Sequence, residues 1–553
     1  MSRVSWRNGA ALVLLAAGFL LRLWTAHCYW NWFDREFPGA WERSRVVLSQ
    51  DGTQYIQQAD PDTWQRPYRG RWRERPYYRP PLASYYFVYL SRATGFDRLA
   101  ISGCQSLLAV LACFLIFRLV ARAFGFGTAL ASLVWSLLHP VLVYFDTSFE
   151  DSSLAFVLLA LALAAFARQV DGPPRRLLSA GVFMGLAILA RPNTALAFAG
   201  LLVVLLAAAT GRRLARAPAF AVPVVILAAL PTLHNYRSSG RFAFVVDTNG
   251  ENLYWGNAAS DAERILLQGF WDIPQVDSGS PGWLLIRDLT TRHGERSIDR
   301  AFRAEVRQEV RARPLAVACG LLRKAARHFS SYEIPRNEDF ETLRPAAPAL
   351  GWPYPPYPVT ACLALIGFVS VPRSLRRFGF ILLVPWLCAF VTEVVYFNAS
   401  RYRSASLPFL IPLAVLGLRR CYEEARARHF ARVGLALVAL AISYFAGDRI
   451  VSPRERRQHL SASTFKAAMV EASADAAGRL QVPDEMRFLG RLRAALAAEP
   501  GNFEARVVLV KYLMTTGRRA EALRARDEGC RLSDADARLR ELVCDDLARP
   551  GPS

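Results

Sequence analysis

The sequence predicts an all-α polytopic membrane protein, and three observations predict it. Apolar stretches such as "GAALVLLAAGFLL" (9–21), "LLAVLACFLIF" (107–117) and "ALAFAGLLVVLLAAA" (195–209) recur between polar breaks. Several of them reach the roughly 17–25 residues that a bilayer demands. The breaks are alternately rich and poor in arginine, which is the asymmetry of a chain that crosses a membrane repeatedly.

In chain order the candidate helices lie near 9–27, 98–118, 127–145, 151–168, 177–190, 193–210, 217–233, 359–372, 378–397, 405–418 and 432–447, about eleven transmembrane helices. Those at 177–190, 359–372 and 405–418 are short, as half-buried helices inside a bundle are. The first segment reads as a retained signal anchor, because Trp24, His27 and Tyr29 spoil a small-x-small cleavage site. With the N-terminus (Arg3, Arg7) in the cytoplasm, the cytoplasmic breaks carry Arg118/Arg122, Arg168/Arg175/Arg176, Arg212/Arg213/Arg216, Arg373/Arg376/Arg377 and Arg419/Arg420/Arg426/Arg428. The breaks "FDTSFE" and "ARPN" on the other side hold almost none, whereas "NASRYRS" violates the rule. This topology places the chain in a bacterial inner membrane with its C-terminus extracytoplasmic.

A formal charge of +22 would suggest nucleic acid in a soluble protein, but here the membrane topology accounts for it and no nucleic-acid partner is expected. Only Lys324, Lys466 and Lys511 among the 68 basic residues are lysine, a bias attributed to a GC-rich bacterial genome. The nine cysteines form no CxxC or Cys/His metal spacing, and only Cys530 and Cys544 are placed to pair outside the membrane.

The chain divides into an N-terminal transmembrane module (1–235) with a first extracytoplasmic loop at 28–85, an extracytoplasmic loop domain (236–350), further transmembrane helices (351–447) and an extracytoplasmic tail (448–553). The first loop is dense in Trp, Tyr, Arg, Asp and Pro, which suits helices at headgroup level. The second piece opens with "RFAFVVDTNGENLYWGN", whose alternation and Asn-Gly predict strand, turn and strand, making a small mixed region. "NLYWGN" (252–257) offers aromatic faces and amides suited to a sugar, or a hairpin tip. In the tail, "EPGNFEARVVLVKYLMTTGRRAEALRARDEGCRL" carries two helical patterns whose spacing resembles a tetratricopeptide unit. A lone unit cannot bury its apolar face, so it must pack on 463–479 and 485–498 or dock a protein partner.

Charged residues near the hydrocarbon boundary cost free energy unless paired or wetted, so those on the outer side are functional candidates. Asp51 opens "DGTQYIQQA", with Tyr55 and Ala59 at helical spacing, so its carboxylate falls at a helix N-terminus as an N-cap or a site acid. Asp34 and Glu36 in "FDREF" form a second acidic pair. Arg79 precedes Pro80-Pro81, which fix an extended backbone and hold the guanidinium at a set depth. Its planar fork suits phosphate oxygens, and the same argument serves Arg401 and Arg403, the cations on the wrong side. Glu150 and Asp151 begin a span; N-capping explains one of them comfortably. Arg191 in "ARPNTALAF" reads as a Pro-led turn whose arginine snorkels to headgroups, or as a further phosphate contact.

An acid followed by "xxxYxxxA" in the first loop, a basic residue before "PPL", an acid with "xxL" opening a later span, "GLAILARP" and a closing "RYR" with proline occur in one order. Over roughly residues 8–420 this order resembles the GT-C membrane glycosyltransferases. The nearest groups are the bacterial relatives of the protein O-mannosyltransferases (glycosyltransferase family 39-like) and the aminoarabinose transferases that modify lipid A. The resemblance implies a GT-C type fold and an inverting glycosyltransferase that moves a hexosyl or pentosyl group from a polyprenyl-phosphate donor. Asp51 would be the base, Arg79 would meet the lipid phosphate and Asp151 would correspond to the later acid. Two departures bear on the acceptor: Asp51-Gly52 stands where the protein mannosyltransferases have Asp-Glu, and Arg79 where the aminoarabinose group has lysine. The acceptor (protein, lipid or polysaccharide) stays open.

A phosphate leaving group is already a stable anion, so one base suffices, unlike the paired carboxylates of glycoside hydrolysis. The base takes the acceptor proton while Arg79, Arg401 or Arg403 stabilises charge on the phosphate. No ligand set demands a metal, although Asp34 or Asp151 leaves room for a divalent ion. A polysaccharide polymerase or a lipid-linked sugar transporter would use the same arginines. The sequence has no inverted repeat of broken spans, which counts against the transporter, and a non-catalytic scaffold leaves the acids unexplained.

Overall fold

The computed structural model describes residues 3–44, 50–57, 76–170, 173–207, 216–258, 288–294, 298–336, 339–474 and 480–533. Helix α1 (Arg3–Glu36) is followed by the short α2 (Ala40–Ser44) and α3 (Gln50–Gln57), then α4 (Pro81–Ala93) and α5 (Arg98–Phe124). Next come α6 (Phe126–Leu138), α7 (Pro140–Thr147), α8 (Ser152–Gln169), α9 (Leu177–Ala190), α10 (Ala195–Ala207) and α11 (Arg216–Ser239). Four helices follow outside the spans: α12 (Asn249–Asn257), α13 (Ile298–Ala312), α14 (Pro314–Arg327) and α15 (Phe340–Leu343). The second apolar set is α16 (Tyr357–Ser370), α17 (Arg376–Val395), α18 (Ser400–Ser404), α19 (Leu407–Arg426) and α20 (Phe430–Arg449). The tail holds α21 (Pro453–Glu471), α22 (Glu485–Ala498), α23 (Phe503–Thr515) and α24 (Arg519–Ser533).

Every apolar segment expected from the sequence is helical, so the chain is an all-α polytopic membrane protein. The number of full spans is smaller than expected. Among the described residues six helices are long and apolar enough to cross a membrane, or seven with the bent pair α6–α7. The others are shorter: α16 has 14 residues, which at about 1.5 Å rise each falls short of a hydrocarbon core about 30 Å thick.

The 60° bend between α6 and α7 falls at Pro140, which has no N–H to continue the helical ladder. Arg22 of α1 satisfies the break. It is fully buried, donates through Nη1 to the Leu137 carbonyl at 2.9 Å, and pairs through Nη2 with Asp146 of α7 at 2.8 Å. A buried charge at this depth is tolerable only because it is paired and hydrogen-bonded.

Helices within a membrane associate through close packing rather than through expulsion of water, so small residues mark their tightest contacts. Gly367 of α16 and Gly417 of α19 face each other's backbones: a Cβ at Gly367 would meet the Leu413 carbonyl, and one at Gly417 the Leu363 carbonyl. Gly417→Val is therefore expected to cost about 1–3 kcal/mol by overpacking, seen as a lower melting temperature in detergent. Gly434→Val is the control, because nothing lies within 4 Å of a Cβ built there.

The expected strand–turn–strand at 241–257 is not formed: Asn249–Asn257 is helix α12. Asn249-Gly250 opens that helix instead of turning a hairpin. The Gly250 N–H donates to Asp299 Oδ1 at 2.6 Å, and α13 packs so close that a Cβ on Gly250 would meet the Asp299 carbonyl. Tertiary contact overrides a short alternation. The only strand pair among the described residues is Ser473–Ala474 with Leu480–Gln481, so the described part of this region is helical rather than mixed.

The tail helices bury one apolar cluster, including Phe465, Met469, Phe488, Leu492, Leu509 and Leu513, on the neighbours the sequence called for. This packing does not establish a tetratricopeptide repeat. Arg491 of α22 ties the tail to the end of α1 through Glu36 at 2.9 Å. Cys530 is disulfide-bonded, and Cys544 lies outside the described residues.

Candidate active site

Arg79 is set in place from the backbone outward. The Tyr77 N–H donates to Asn235 Oδ1 at 2.7 Å, and the Tyr77 carbonyl accepts from the Asp247 N–H at 2.8 Å. Asn235, fully buried at the end of α11, also donates to the carbonyls of Ala243 and Val245 at 3.0 Å each. Val245 sits at φ 59°, a left-handed backbone that a β-branched residue adopts only when its surroundings impose it. Pro80 and Pro81 then start α4, so the guanidinium leaves a backbone fixed on both sides.

Asp51 lies in the first turn of α3, and this short helix is anchored by Tyr55, whose ring stacks on Phe87 of α4 at 5.0 Å. The carboxylate of Asp51 meets two guanidinium groups. Arg79 Nη2 is 2.8 Å from Asp51 Oδ1, and Arg79 Nε donates to Gln54 Oε1 at 2.7 Å. Arg401, carried by α18, closes on Asp51 Oδ2 from the opposite side of the sequence.

The acids that open α8 join from a third direction. Glu150 lies 4.0 Å from Arg401, and Asp151 lies 3.8 Å from Arg191 Nε. Arg191 Nη2 donates to the Arg401 carbonyl at 3.2 Å. Residues 147–148 are held by α5: Ser102 donates to the Thr147 carbonyl at 3.0 Å, and Gln105 donates to the Ser148 carbonyl. Asp51, Arg79, Glu150, Asp151, Arg191 and Arg401 thus form one cluster from five separate segments, with the acids and Arg191 buried and Arg79 and Arg401 half-buried.

Burial alone would raise the Asp51 carboxyl, but Arg79 and Arg401 outweigh it and hold it well below the usual carboxylate range. Tyr55 is raised by burial and by Asp151 and Asp51, so its hydroxyl stays neutral at the edge of the cluster.

Two candidates stand apart. Asp34 is engaged by Arg98 through both oxygens, at 2.6 and 2.7 Å, because Arg98 at the start of α5 is held over the Trp30 ring. Arg403 turns away from its neighbour Arg401: it is buried, pairs with Glu333 at 3.0 Å, and donates to the carbonyls of His328, Ser330 and Tyr332. Consecutive odd positions on a one-turn helix point in different directions, and only Arg401 points into the cluster.

Two further residues belong here that the sequence did not single out. Arg336 is clamped between the rings of Trp255 and Phe397, 4.3 and 4.8 Å from their centroids, and acts electrostatically on Asp51, Arg401 and Glu251. Glu251 in the first turn of α12 accepts from the Tyr78 hydroxyl at 3.2 Å. Among many arginines in 236–350, nothing in the local sequence distinguished Arg336 except its place beside a proline ahead of a span.

Beside Arg401, a hollow of about 10 Å³ is lined by Glu150, Arg336 and Ser400, among others; it is about the size of one water. A larger cavity of about 650 Å³ is lined by Arg241, Asp247, Leu253, Asp299, Arg303 and Arg307, among others. Among the described residues no group of three or more His, Cys, Asp or Glu is gathered as a metal site.

Residues 78–234 match the family model described as dolichyl-phosphate-mannose-protein mannosyltransferase. No curated protein sequence matches. Among solved structures, ArnT from Cupriavidus metallidurans bound to undecaprenyl phosphate shares 14% identity over 99% of this chain and 78% of its own, with a TM-score of 0.39. The Archaeoglobus fulgidus oligosaccharyltransferase in its apo form shares 14% identity over 87% of this chain and 58% of its own, with a TM-score of 0.41. At such scores neither likeness carries weight, so the family match stands on the 78–234 segment. That segment contains Arg79, Glu150, Asp151 and Arg191, and by it the chain is recognised as similar to the GT-C glycosyltransferases of the dolichyl-phosphate-mannose-protein mannosyltransferase family.

Proposed function

We propose that this cluster transfers a sugar from a polyprenyl-phosphate donor to an acceptor on the extracytoplasmic side of a bacterial inner membrane. The observation that carries the proposal is the pairing of Asp51 with two guanidinium groups, Arg79 and Arg401, drawn from remote segments to one buried point. The matching family is named for dolichyl-phosphate-mannose, a sugar on a polyprenyl phosphate. An extracytoplasmic cluster agrees with the sidedness of the arginine-rich breaks, none of which holds a cluster residue. The disulfide at Cys530 favours the same side for the tail.

Without donor, Asp51 neutralises the cations that the phosphate needs. A phosphate brings more charge and more acceptor oxygens than a carboxylate, so it competes for Arg79 and Arg401, with Arg336 close by. Two consequences follow. The phosphate gains guanidinium donors aimed at the oxygen that becomes charged, and Asp51 loses the partners that suppress its basicity. The acceptor oxygen then attacks the anomeric carbon, the bond to phosphate oxygen breaks with its electron pair going to the phosphate, and the acceptor proton passes to Asp51. Attack opposite the leaving group gives inversion. The reaction so written requires no metal, since the phosphate leaves as a stable anion.

The test is transfer by the purified protein in lipid, with radiolabelled undecaprenyl-phosphate sugars and membrane extracts as acceptor source. Arg79→Ala and Arg401→Ala are each expected to slow transfer by about 10²–10³-fold, as loss of one preorganised donor does. Wild-type rates in both variants would overturn the site. Movement of labelled lipid across the bilayer without transfer would favour a transporter.

A further inference from the structure

We propose that Glu251, with the Tyr78 hydroxyl, forms the subsite that receives the hydroxyl or amine groups of the donor's sugar. The inference rests on the function proposed above and names where the sugar ring sits. Every other acid of the cluster faces a guanidinium: Asp51 pairs with Arg79 and Arg401, Glu150 lies near Arg401, and Asp151 near Arg191. Glu251 differs. It is 8% exposed, it has no ion pair among the described residues, and its one hydrogen bond there comes from Tyr78.

A carboxylate offers about four lone-pair sites, so a single bond leaves most of its acceptor capacity open to a ligand. Burial pushes the Glu251 carboxyl upward against the pull of Arg336 and Arg79, which is the mark of a carboxylate short of partners. A neutral ligand rich in donors would supply them. A phosphate would not, because it offers only acceptors and negative charge. Sugar hydroxyls donate, and so does the ammonium of an amino sugar.

The position fits the same ligand. Tyr78 and Arg79 are neighbours in sequence, and the Arg79 guanidinium lies 5.1 Å from the Tyr78 ring centroid. The group that bonds Glu251 is therefore beside the one proposed to grip the phosphate, and in the donor the sugar is one ester bond from that phosphate. Glu251 is held rigidly. Its helix α12 is pinned by Gly250 against Asp299, and Trp255, one turn on, carries the clamped Arg336.

The test compares binding of bare undecaprenyl phosphate, undecaprenyl-phosphate mannose and undecaprenyl-phosphate aminoarabinose to the full-length protein in lipid nanodiscs. The wild type is expected to bind at least one sugar-bearing lipid more than 10-fold tighter than the bare lipid. Glu251→Gln should remove that preference without weakening binding of the bare lipid, and Tyr78→Phe should reduce the preference by a smaller factor. Equal losses for bare and sugar-bearing lipids, or an unchanged preference in both variants, would overturn the subsite. So would a wild type with no preference for either sugar. Failure of the wild type to bind bare undecaprenyl phosphate at all would instead overturn the function on which the subsite rests.

Discussion

Asp51→Asn is expected to lower the rate of sugar transfer by about 10²–10⁴-fold at saturating donor, the usual contribution of a general base. Asparagine keeps the shape of the side chain and removes its charge. The same variant is expected to bind bare undecaprenyl phosphate more tightly than the wild type. In the free protein Asp51 competes with the phosphate for Arg79 and Arg401, and asparagine competes far less. Slow transfer with tighter lipid binding therefore separates a base that doubles as a counterion from a merely structural acid. Transfer at the wild-type rate would remove Asp51 from the chemistry.

The pH behaviour follows from the sign of the shift. The Asp51 carboxyl is lowered in the folded protein, burial notwithstanding, by Arg79 and Arg401. A lowered carboxylate adds stability that is present above its unfolded pKa of about 3.9 and is lost as pH falls through the folded value. The ion pairs of the free protein should therefore persist throughout pH 5–8. Once phosphate takes the arginines, the carboxyl rises toward its ordinary value. An acid limb is thus expected in the rate at saturating donor and not in the donor-limited rate, because the two report the complex and the free protein respectively.

Arg403→Ala is expected to destabilise the fold by about 3–5 kcal/mol, the cost of removing one partner of a buried charge pair. The change strands Glu333, which is 3% exposed, and leaves the carbonyls of His328, Ser330 and Tyr332 without the donor that joins them. The measurement is yield and melting temperature in detergent, with Arg401→Ala alongside. The Arg401 variant should keep more of its melting temperature and lose more of its transfer. A wild-type melting temperature for Arg403→Ala, combined with weakened lipid binding, would return Arg403 to the site.

These two arginines show how far sequence can be carried. Both violate the sidedness of the other basic residues, and both were explained by an anion on the outer side. Each does meet anions, but Arg401 meets Asp51 and Glu150 whereas Arg403 meets Glu333. The choice between them depends on the direction of two side chains on one five-residue helix, which no linear pattern records.

Asp51 and Arg79 were legible because each sits beside a strong local signal, a helix start and a Pro-Pro pair. Arg336 and Glu251 were not, since their meaning lies in the rings of Trp255 and Phe397 and in the hydroxyl of Tyr78. The Asn-Gly before Leu253 misled for the same reason, as close packing on α13 selected helix over hairpin there.

The sequence by itself determined where the apolar helices run, which breaks between them gather cations, and which acids and arginines near helix ends were worth attention. A bilayer imposes length and sidedness on every segment separately, so these properties can be read one segment at a time. Only the tertiary structure decided that Asp51, Arg79 and Arg401 meet while Arg403 and Asp34 stand apart. Convergence of residues hundreds of positions apart is settled by packing and by pairing of buried charge, and both are properties of the assembled bundle rather than of any stretch of it.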